Sequence, residues 1–419
     1  MTAAPGSEGL AEAYGEIRRV TERLAAPLSA EDCVVQSMPD ASPVKWHLAH
    51  TTWFFETFVV SAARPAARPF HPQFRVLFNS YYNAVGPQHP RPERGMLSRP
   101  ALSEVRAYRE HVDCRIAELF AEGAVDESLA ARVELGLHHE QQHQELILTD
   151  LKHMLWSNPL RPAYRDGPQR AEGEAGRLRW RRHAGGAASI GHAGGSFSFD
   201  NERPRHRVML EPFEIASRPV TTGEFLEFIE DGGYERAELW LSDGWDAARA
   251  QRWRAPLYWR REDGAWRIFT LSGARDLRRD EPVAHVSFYE ADAFARWSQA
   301  RLPSEAEWEV VAAKEPVAGN LLESGLLHPA PSPAPSSAPP AQLFGDVWEW
   351  TRSAYAAYPG FRAAAGALGE YNAKFMCNQL VLRGGSCVTP RSHLRATYRN
   401  FFPPQARWQF SGLRLARDP

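Results

Sequence analysis

The stretch His138-His-Glu-Gln-Gln-His-Gln-Glu145 decides how the rest of the chain is interpreted. On an α-helix, residues four apart project from one face, so His139 and His143 can offer two imidazole nitrogens to one metal ion. Two ligands alone hold a catalytic metal poorly, and a third is expected from another helix. His50, in the run Trp-His-Leu-Ala-His, is the first candidate, and His47 in the same run competes with it.

Two other interpretations of these histidines stay open. The run also spells the His-Glu-x-x-His pattern of zinc proteases, in which Glu140 would act as the general base. In those enzymes the third ligand normally follows downstream, in a scaffold unlike a helix bundle. Alternatively, the histidines bind no metal, because such pairs arise by chance in His-rich helices. His138 and His153 are expected to be bystanders of this kind.

The ligand types narrow the identity of the metal only in part. Three neutral nitrogen ligands on one face leave up to three positions open around an octahedral ion. Iron(II) uses such positions to bind O2 and a substrate together. Ligand types alone do not separate iron from zinc.

The sequence around this stretch predicts a helix bundle. Apolar residues recur three and four positions apart, which indicates four helices near 8–27, 43–62, 101–122 and 127–155. The connection at 63–100 is long and rich in Pro and Arg, and connections of that length inside a compact domain are often functional. The pattern fades at 162–176, so we place the first domain at 1–165.

The second half predicts an irregular α+β domain at 177–419. It is rich in Gly and Trp and contains short β-like runs such as Phe197-Ser-Phe and Val208-Met-Leu. Helices are expected at 222–231, capped by Thr221 or Thr222, and at 289–300. The Pro/Ser/Ala run at 329–340 cannot bury a core and is predicted to be a solvent loop. The predicted fold class is therefore multi-domain, α followed by α+β.

The composition restricts the class of partner. The 419 residues are 43% hydrophobic and 24% charged, which fits two or three globular domains. Lys and Arg number 49 against 51 Asp and Glu, so no net positive field holds nucleic acid or anionic lipid. The four cysteines lie far apart, no apolar run spans a membrane, and the start lacks a secretory signal. We expect a cytoplasmic protein that acts on small molecules.

Several motifs, in this order, carry a family resemblance. They are Gln36-Ser-Met-Pro-Asp-Ala-Ser-Pro-Val-Lys-Trp-His-Leu-Ala-His, Asn79-Ser-Tyr-Tyr-Asn, His139-Glu-Gln-Gln-His-Gln-Glu, Arg301-Leu-Pro-Ser-Glu-Ala-Glu-Trp-Glu, Gly345-Asp-Val-Trp-Glu-Trp, Leu382-Arg-Gly-Gly-Ser, Tyr398-Arg-Asn-Phe-Phe and Ser411-Gly-Leu-Arg. The chain resembles the sulfoxide synthases of ergothioneine biosynthesis over nearly its whole length. That resemblance implies a DinB-like four-helix bundle, followed by a domain of the formylglycine-generating-enzyme type with C-type-lectin-like topology, which covers the active site.

The resemblance also implies a reaction and a cofactor. The family joins a thiol to carbon 2 of the imidazole ring of hercynine, the trimethylated betaine of histidine, and uses O2 to leave a sulfoxide. By this resemblance Fe(II) is the cofactor, and its ligands map onto His50, His139 and His143. Substrate imidazole and sulfur held on one ion are already adjacent, which lowers the entropic barrier to their bonding.

The resemblance places further residues around the substrates. Gln142 matches a position that contacts the hercynine imidazole. A trimethylammonium group needs aromatic faces or nearby oxygens, and three aromatic residues near the end of the chain are candidates for that role: Phe401, Phe402 and Trp408. Asn400 is a further candidate to hold the substrate. These aromatic side chains can equally be ordinary core.

Tyr81 and Tyr82 are the predicted catalytic residues. In the branch of the family with this Tyr-Tyr pair, a phenol is thought to supply a proton or an electron on the oxygen side of the metal. That step would favour carbon–sulfur bonding over oxidation of the thiol alone. The alternative is that both rings merely cover the bundle.

Two departures from relatives shape the substrate prediction. Thr389 and Leu394 stand where formylglycine-generating enzymes would need their two cysteines, and Cys387 alone cannot replace them, so sulfatase maturation is not expected. Phe402 and Ala406 stand where synthases that accept gamma-glutamylcysteine carry Asp and Arg. Free cysteine is therefore the expected donor. Three loop arginines could bind its carboxylate: Arg75, Arg91 and Arg94.

Other functions remain as alternatives at this point. A selenoneine synthase would share the iron ligands and the hercynine pocket but would form a carbon–selenium bond from a selenosugar. Synthases of 5-histidylcysteine sulfoxide usually carry an additional methyltransferase domain, which this length cannot accommodate. A non-catalytic protein that senses metal or thiols would bind the metal without turnover.

Overall fold

The computed structural model describes residues 7–167, 173–331 and 340–419. The chain divides into two compact units. The helical unit holds the residues up to Pro159 together with Gly194–Phe199 and Ala363–Lys374. The mixed unit holds Leu160–Ala193, Asp200–Arg362 and Phe375–Pro419. The domain bounds predicted from the sequence, 1–165 and 177–419, stay a prediction. The predicted linker at 162–176 and loop at 329–340 fall partly outside the described residues.

The helical unit confirms the four predicted helices. The long helices are α1 (Ser7–Ala25), α2 (Val44–Phe55), α5 (Leu102–Ala121) and α6 (Glu127–Ser157), and two short ones lie between them, α3 (Ser61–Ala63) and α4 (Phe74–Leu77). Helix α1 packs against α6, and α2 packs against both α5 and α6. This arrangement is a bundle with α2 enclosed by its neighbours.

Helix α2 is buried along its whole length. All twelve residues from Val44 to Phe55 are buried, including both histidines of its His-Leu-Ala-His run. The helix continues through a wider π turn at Glu56–Val60. Gly136 lets α6 approach this helix closely, because a Cβ there would lie 2.5 Å from a ring carbon of Phe55. This close packing at Gly136 sets the position of the following turn of α6 along α2.

The long connection at 63–100 is fastened to the bundle at several points. It contains α4 and a 3-10 helix at Arg91–Met96. The side-chain amide of Gln36 donates to the carbonyl of Arg91 and accepts from the backbone N–H of Gly95, at 2.9 and 2.7 Å. Lys45 on α2 donates to the carbonyl of Leu97 at 2.8 Å. The connection is therefore an ordered part of the unit.

The mixed unit is built from small sheets. Its strands are β1 (Trp180–His183), β2 (Gly186–Ile190), β3 (His206–Leu210), β4 (Phe213–Ala216), β5 (Trp259–Glu262), β6 (Ala265–Thr270), β7 (Gly273–Asp276), β8 (Trp348–Ala354), β9 (Leu380–Arg383), β10 (Asn400–Phe402), β11 (Ser411–Gly412) and β12 (Ala416–Arg417). The sheet orders are β1-β4-β12, β10-β9-β8-β11, β2-β3 and β5-β6-β7. Only the β11–β8 pairing is parallel among the described strands.

Among the described residues, four α-helices accompany these sheets. They are α7 (Thr222–Glu230), α8 (Ser242–Ala250), α9 (Phe288–Trp297) and α10 (Glu305–Ala312). Both helices predicted in this half are confirmed, and Thr221 is the cap of α7, since its hydroxyl accepts from the N–H of Glu224 at 3.2 Å. The prediction of a strand at Phe197-Ser-Phe is wrong, because residues 197–199 form a loop.

Buried ion pairs hold the interior of the mixed unit. Arg414 donates to both carboxylate oxygens of Glu349 on β8, and the indole of Trp308 donates to the same carboxylate at 2.8 Å. Each charge is therefore compensated within the core.

The fold class predicted from the sequence, an α domain followed by an α+β domain, is confirmed. A search of the described residues finds no helix that combines the length and the apolar composition of a membrane span.

Candidate metal centre

The structure brings the three predicted ligands together. One ring nitrogen from each of His50, His139 and His143 lies within 4.8 Å of the other two. His50 comes from α2 and the other two from successive turns of α6, so the packing of these helices creates the cluster. All three side chains are buried. A search of the described residues for groups of three or more histidine, cysteine or acidic side chains that could hold a metal finds this cluster.

Burial keeps these imidazoles neutral. Burial lowers the pKa of His139 to about 3, and it lowers the pKa of His50 and His143 well below the ordinary value. Mutual repulsion between the protonated rings acts in the same direction on His50 and His143. A neutral imidazole keeps a lone pair on one nitrogen, which is the form that ligates a metal.

Hydrogen bonds orient two of the rings. Nδ1 of His50 lies 2.6 Å from the carbonyl oxygen of Phe78. Nδ1 of His143 lies 2.8 Å from Nδ1 of His47, whose Nε2 is 3.1 Å from a carboxylate oxygen of Asp150. His47, the competing candidate for third ligand, therefore stands behind His143 and is not a member of the cluster.

The geometry of the cluster fits a metal ion. Nε2 of His50 and Nε2 of His139 are 3.1 Å apart. Two nitrogens each about 2.1 Å from an ion lie about 3 Å apart when they bind at right angles. The other ring nitrogen of His139 is buried and has no hydrogen-bond partner among the described residues. A set of three neutral nitrogen donors suits iron, zinc or copper.

Aromatic side chains enclose the cluster. Trp46 and Trp53 stack on the His50 ring, with centroids 4.5 and 5.5 Å away. Phe54 lies 4.6 Å from the His139 ring. These side chains are buried, so they exclude water from one side of the cluster and lower the local dielectric.

The structure contradicts the zinc-protease interpretation. Glu140 lies between two guanidinium groups, accepting from Arg18 at 2.9 Å and from Arg109 at 3.0 Å. Burial raises the pKa of Glu140, but these two cations outweigh it and the pKa falls to about 2. A carboxylate bound to two arginines cannot serve as the general base that a zinc protease requires. Glu140 is a structural residue of the bundle.

Tyr81 and Tyr82 lie in the ordered connection. Their rings stack with centroids 4.7 Å apart, and Tyr82 packs 5.5 Å from Trp53. Burial, followed by the neighbouring Tyr81 phenol, raises the pKa of Tyr82 well above its ordinary value. The side chain of Asn79 holds the loop by accepting from the N–H of Tyr82 and donating to its carbonyl, both at 3.0 Å. The hydrogen bonds from Asn79 to Tyr82 therefore stabilise a turn within the Asn-Ser-Tyr-Tyr motif.

Residues 363–374 add a part of the site that the sequence did not predict. The Tyr371 hydroxyl donates to the side-chain carbonyl of Gln142, and the Tyr371 ring lies 5.7 Å from that of His139. Phe199 stacks on Tyr371 at 5.3 Å. Glu370 accepts from the backbone N–H groups of residues 83 and 84, beside the tyrosine pair. No motif marked this segment, since it lies between two of the motifs quoted above.

The substrate-binding residues predicted near the end of the chain lie in the mixed unit. Asn400, Phe401 and Phe402 form β10, where Phe401 stacks on Tyr355 with centroids 4.0 Å apart. Phe402 meets Trp408 edge-on at 5.9 Å. These aromatic rings therefore have neighbours within their own unit. Their contact with hercynine stays a prediction.

The three candidate arginines differ in their surroundings. Arg94 is buried, with its guanidinium 3.4 Å from the ring centre of Trp46 and 2.9 Å from the Ser42 hydroxyl. Burial lowers the pKa of Arg94 to about 9. Arg75 and Arg91 are exposed, and each donates to a backbone carbonyl of the helical unit. Of the three arginines, Arg94 is thus the one that packs on Trp46, whose ring stacks on His50 of the cluster.

Comparison with known proteins follows this division of the chain. A model of the DinB superfamily matches residues 13–147, and a model of the sulfatase-modifying factor enzyme 1-like domain matches 182–324 and 322–419. The hercynine oxygenase of Mycobacterium tuberculosis is 35% identical, covering 98% of this chain and 99% of that protein. The hercynine oxygenase of Mycolicibacterium smegmatis is 32% identical, covering 91% and 92%. The formylglycine-generating enzyme of Streptomyces coelicolor is 30% identical, covering 57% and 88%.

The similarity to the two hercynine oxygenases extends over both halves of the chain. It includes the segment that carries the three histidines as well as the C-terminal half that the formylglycine-generating enzyme shares. The family predicted from the sequence motifs is therefore confirmed. The chain belongs to the hercynine oxygenase family, the sulfoxide synthases of ergothioneine biosynthesis.

Proposed function

We propose that the chain is a non-haem iron(II) oxygenase that joins the sulfur of cysteine to carbon 2 of the hercynine imidazole. The reaction consumes one hercynine, one cysteine and one O2 and gives hercynyl-cysteine sulfoxide and water. A C–H and an S–H bond are replaced by a C–S and an S=O bond. These changes remove four electrons from the two substrates, and O2 accepts all four. One oxygen atom ends in the sulfoxide and the other in water.

The observation that carries the proposal is the buried cluster of three neutral histidines. One nitrogen from each ring lies within 4.8 Å of the other two. His50, His139 and His143 would hold Fe(II), which would supply the redox and Lewis-acid chemistry for the reaction of hercynine, the thiol and O2. The aromatic side chains around the cluster exclude bulk water, so the thiol and the ring are held together in a site of low dielectric.

Two side chains of the helical unit are suited to orient hercynine. Gln142 precedes His143 on α6, and its side-chain carbonyl accepts from Tyr371. The same amide carries an N–H2 group, which is chemically suited to donate to an imidazole nitrogen. We propose that this group donates to the substrate imidazole. Tyr371 is then a positioning residue for Gln142.

Tyr81 and Tyr82 are proposed to control the fate of the sulfur. The Tyr82 phenol is neutral at physiological pH, because burial raises its pKa well above the ordinary value of about 10. A neutral phenol can donate its proton at the position where O2 reacts. This donation favours C–S bonding over oxidation of cysteine to its sulfinic acid.

Arg94 supports an amino acid as the donor. A buried guanidinium is stabilised by a carboxylate that binds to it. Cysteine carries such a carboxylate, whereas a selenosugar carries none. The bulky Phe402 and the small Ala406 replace the Asp and Arg expected for gamma-glutamylcysteine. We therefore propose free cysteine as the donor and a carbon–sulfur bond as the product.

The test supplies all candidate donors to one preparation. The purified chain is loaded anaerobically with Fe(II) and hercynine and receives cysteine, gamma-glutamylcysteine or a selenosugar before O2 is admitted. Mass spectrometry is expected to show hercynyl-cysteine sulfoxide as the main product. A selenium adduct without the cysteine sulfoxide would overturn the donor assignment. Metal uptake without any product from the three donors would instead support a non-catalytic sensor.

A further inference from the structure

A hydrogen-bonded chain of three side chains runs away from the metal centre. Nδ1 of His143 lies 2.8 Å from Nδ1 of His47, and Nε2 of His47 lies 3.1 Å from Oδ2 of Asp150. His47 is on α2, whereas the other two are on α6 and stand about two turns apart. The side chains of His47 and Asp150 are 2% and 5% exposed, so water does not compete for these contacts.

The donors and acceptors in this chain can be assigned. An ionised carboxylate only accepts hydrogen bonds, so Nε2 of His47 must carry the proton that faces Asp150. With that proton on Nε2, the neutral form of His47 keeps a lone pair on Nδ1. The contact between the two Nδ1 atoms then requires His143 to be the donor. Its Nε2 is left with the lone pair that a metal needs.

Asp150 is itself fixed in place. The carboxylate oxygen that faces His47 also accepts from the backbone N–H of Ser42 at 2.8 Å. Ser42 lies just before α2, and its hydroxyl accepts from Arg94 at 2.9 Å. The carboxylate is therefore held at the point where the start of α2 meets α6.

We infer that His47 and Asp150 act as a positioning relay that selects the metal-binding tautomer of His143. The inference rests on the proposed metal centre and deepens it. Many metal sites orient a ligand imidazole with a carboxylate directly, and loss of such a partner typically weakens metal binding by about 10- to 100-fold. Here a second imidazole stands between the ligand and the carboxylate. His50 is oriented differently, by the carbonyl of Phe78.

The test compares variants that keep or remove the acceptor for His143. His47→Leu removes it, whereas His47→Asn places an amide oxygen close to the former position of Nδ1. His153→Leu is the matched control, because His153 is a histidine of α6 outside the cluster and its Nδ1 contacts the Ser37 hydroxyl at 2.7 Å. Affinity for Co(II) is measured without substrates, by competition with a chelator. The visible absorption of bound Co(II) reports its ligand field, and circular dichroism with thermal melting verifies folding.

We expect His47→Leu to bind Co(II) at least about tenfold more weakly than the wild-type chain, with an altered visible spectrum. His47→Asn is expected to stay within about threefold of the wild type, and His153→Leu to be unchanged. Wild-type affinity in His47→Leu would overturn the relay. A loss of tenfold or more in His47→Asn would overturn it as well, even if His47→Leu fails to fold. A wild-type chain that binds no Co(II) or Fe(II) would refute the metal centre itself.

Discussion

Nδ1 of His50 donates a hydrogen bond to the carbonyl oxygen of Phe78 across 2.6 Å. A carbonyl only accepts, so this contact leaves the lone pair on Nε2 of His50, the nitrogen that faces His139. Phe78 immediately precedes the Asn-Ser-Tyr-Tyr motif. One bond therefore couples a proposed metal ligand to the loop that carries the proposed catalytic tyrosines.

Removing the phenols should redirect the reaction without removing the metal. In Tyr81→Phe and Tyr82→Phe each ring keeps its packing but loses the proton that it could donate. We expect the product of at least one variant to shift from hercynyl-cysteine sulfoxide towards cysteine sulfinic acid. Mass spectrometry of both products, together with iron analysis, measures this ratio. Wild-type product ratios in both variants would remove the phenols from the mechanism.

Loss of the Tyr371 hydroxyl should weaken the use of hercynine. Tyr371→Phe removes a hydrogen bond that positions the side-chain amide of Gln142. A hydrogen bond of about 1 kcal/mol corresponds to roughly a fivefold higher KM for hercynine. Steady-state kinetics at saturating cysteine measures this change. Gln142→Ala should raise the KM at least as far, and in that background Tyr371→Phe should have no further effect.

Arg94 should govern the affinity for cysteine. Arg94→Leu removes the buried cation, and we expect the KM for cysteine to rise by at least about tenfold, the loss of about 1.4 kcal/mol or more. The matched control is Arg75→Leu, since Arg75 is an exposed arginine of the same connection. Its kinetics should equal those of the wild type. Equal KM values for cysteine in both variants would exclude Arg94 as the carboxylate partner.

Glu140 should stabilise the fold in a pH-dependent way. The two arginines lower its pKa from 4.5 to about 2 in the folded chain, despite the opposing effect of burial. The folded chain thus binds this proton less readily than the unfolded chain. The stabilisation is complete above pH 4.5 and is lost as the pH falls towards about 2.

Denaturant unfolding of Glu140→Gln measures this contribution. At pH 7 we expect the variant to be about 3 kcal/mol less stable than the wild type, because two buried guanidinium groups lose their shared carboxylate. The difference should shrink as the pH is lowered from 4.5 towards 2. Glu110→Gln, an exposed change on α5, serves as the control and should leave stability unaltered. A difference in stability that is independent of pH would contradict the assignment of the shift to Glu140.

Much of this architecture was predictable from local pattern. The spacing of apolar residues located the four long helices, and a spacing of four placed His139 and His143 on one face. Capping chemistry located the start of α7 at Thr221. Helix α9 has a comparable capping box of Ser287 with Glu290, which the sequence analysis did not use. Each of these signals acts over three or four residues, which is why a single sequence reveals them.

Contacts between residues distant in the chain could not be predicted in this way. Sequence spacing left His47 and His50 as rivals, and only the packing of α2 against α6 separated a cluster member from a residue behind it. Tyr371 reaches Gln142 from 229 positions away, with no motif of its own. Phe197-Ser-Phe has the composition of a strand, but these residues lie in a loop within the helical unit. Tertiary packing overrides local propensity there.

Anaerobic titration of the metal-free chain with Fe(II) tests the central claim most directly. The account predicts one Fe(II) per wild-type chain and per His138→Ala chain, since the His138 ring stacks on Phe197 and is not a member of the cluster. His50→Ala, His139→Ala and His143→Ala should each stay folded but lose Fe(II) affinity by more than about 100-fold, together with turnover. Wild-type Fe(II) binding and turnover in any of these three variants would contradict the account.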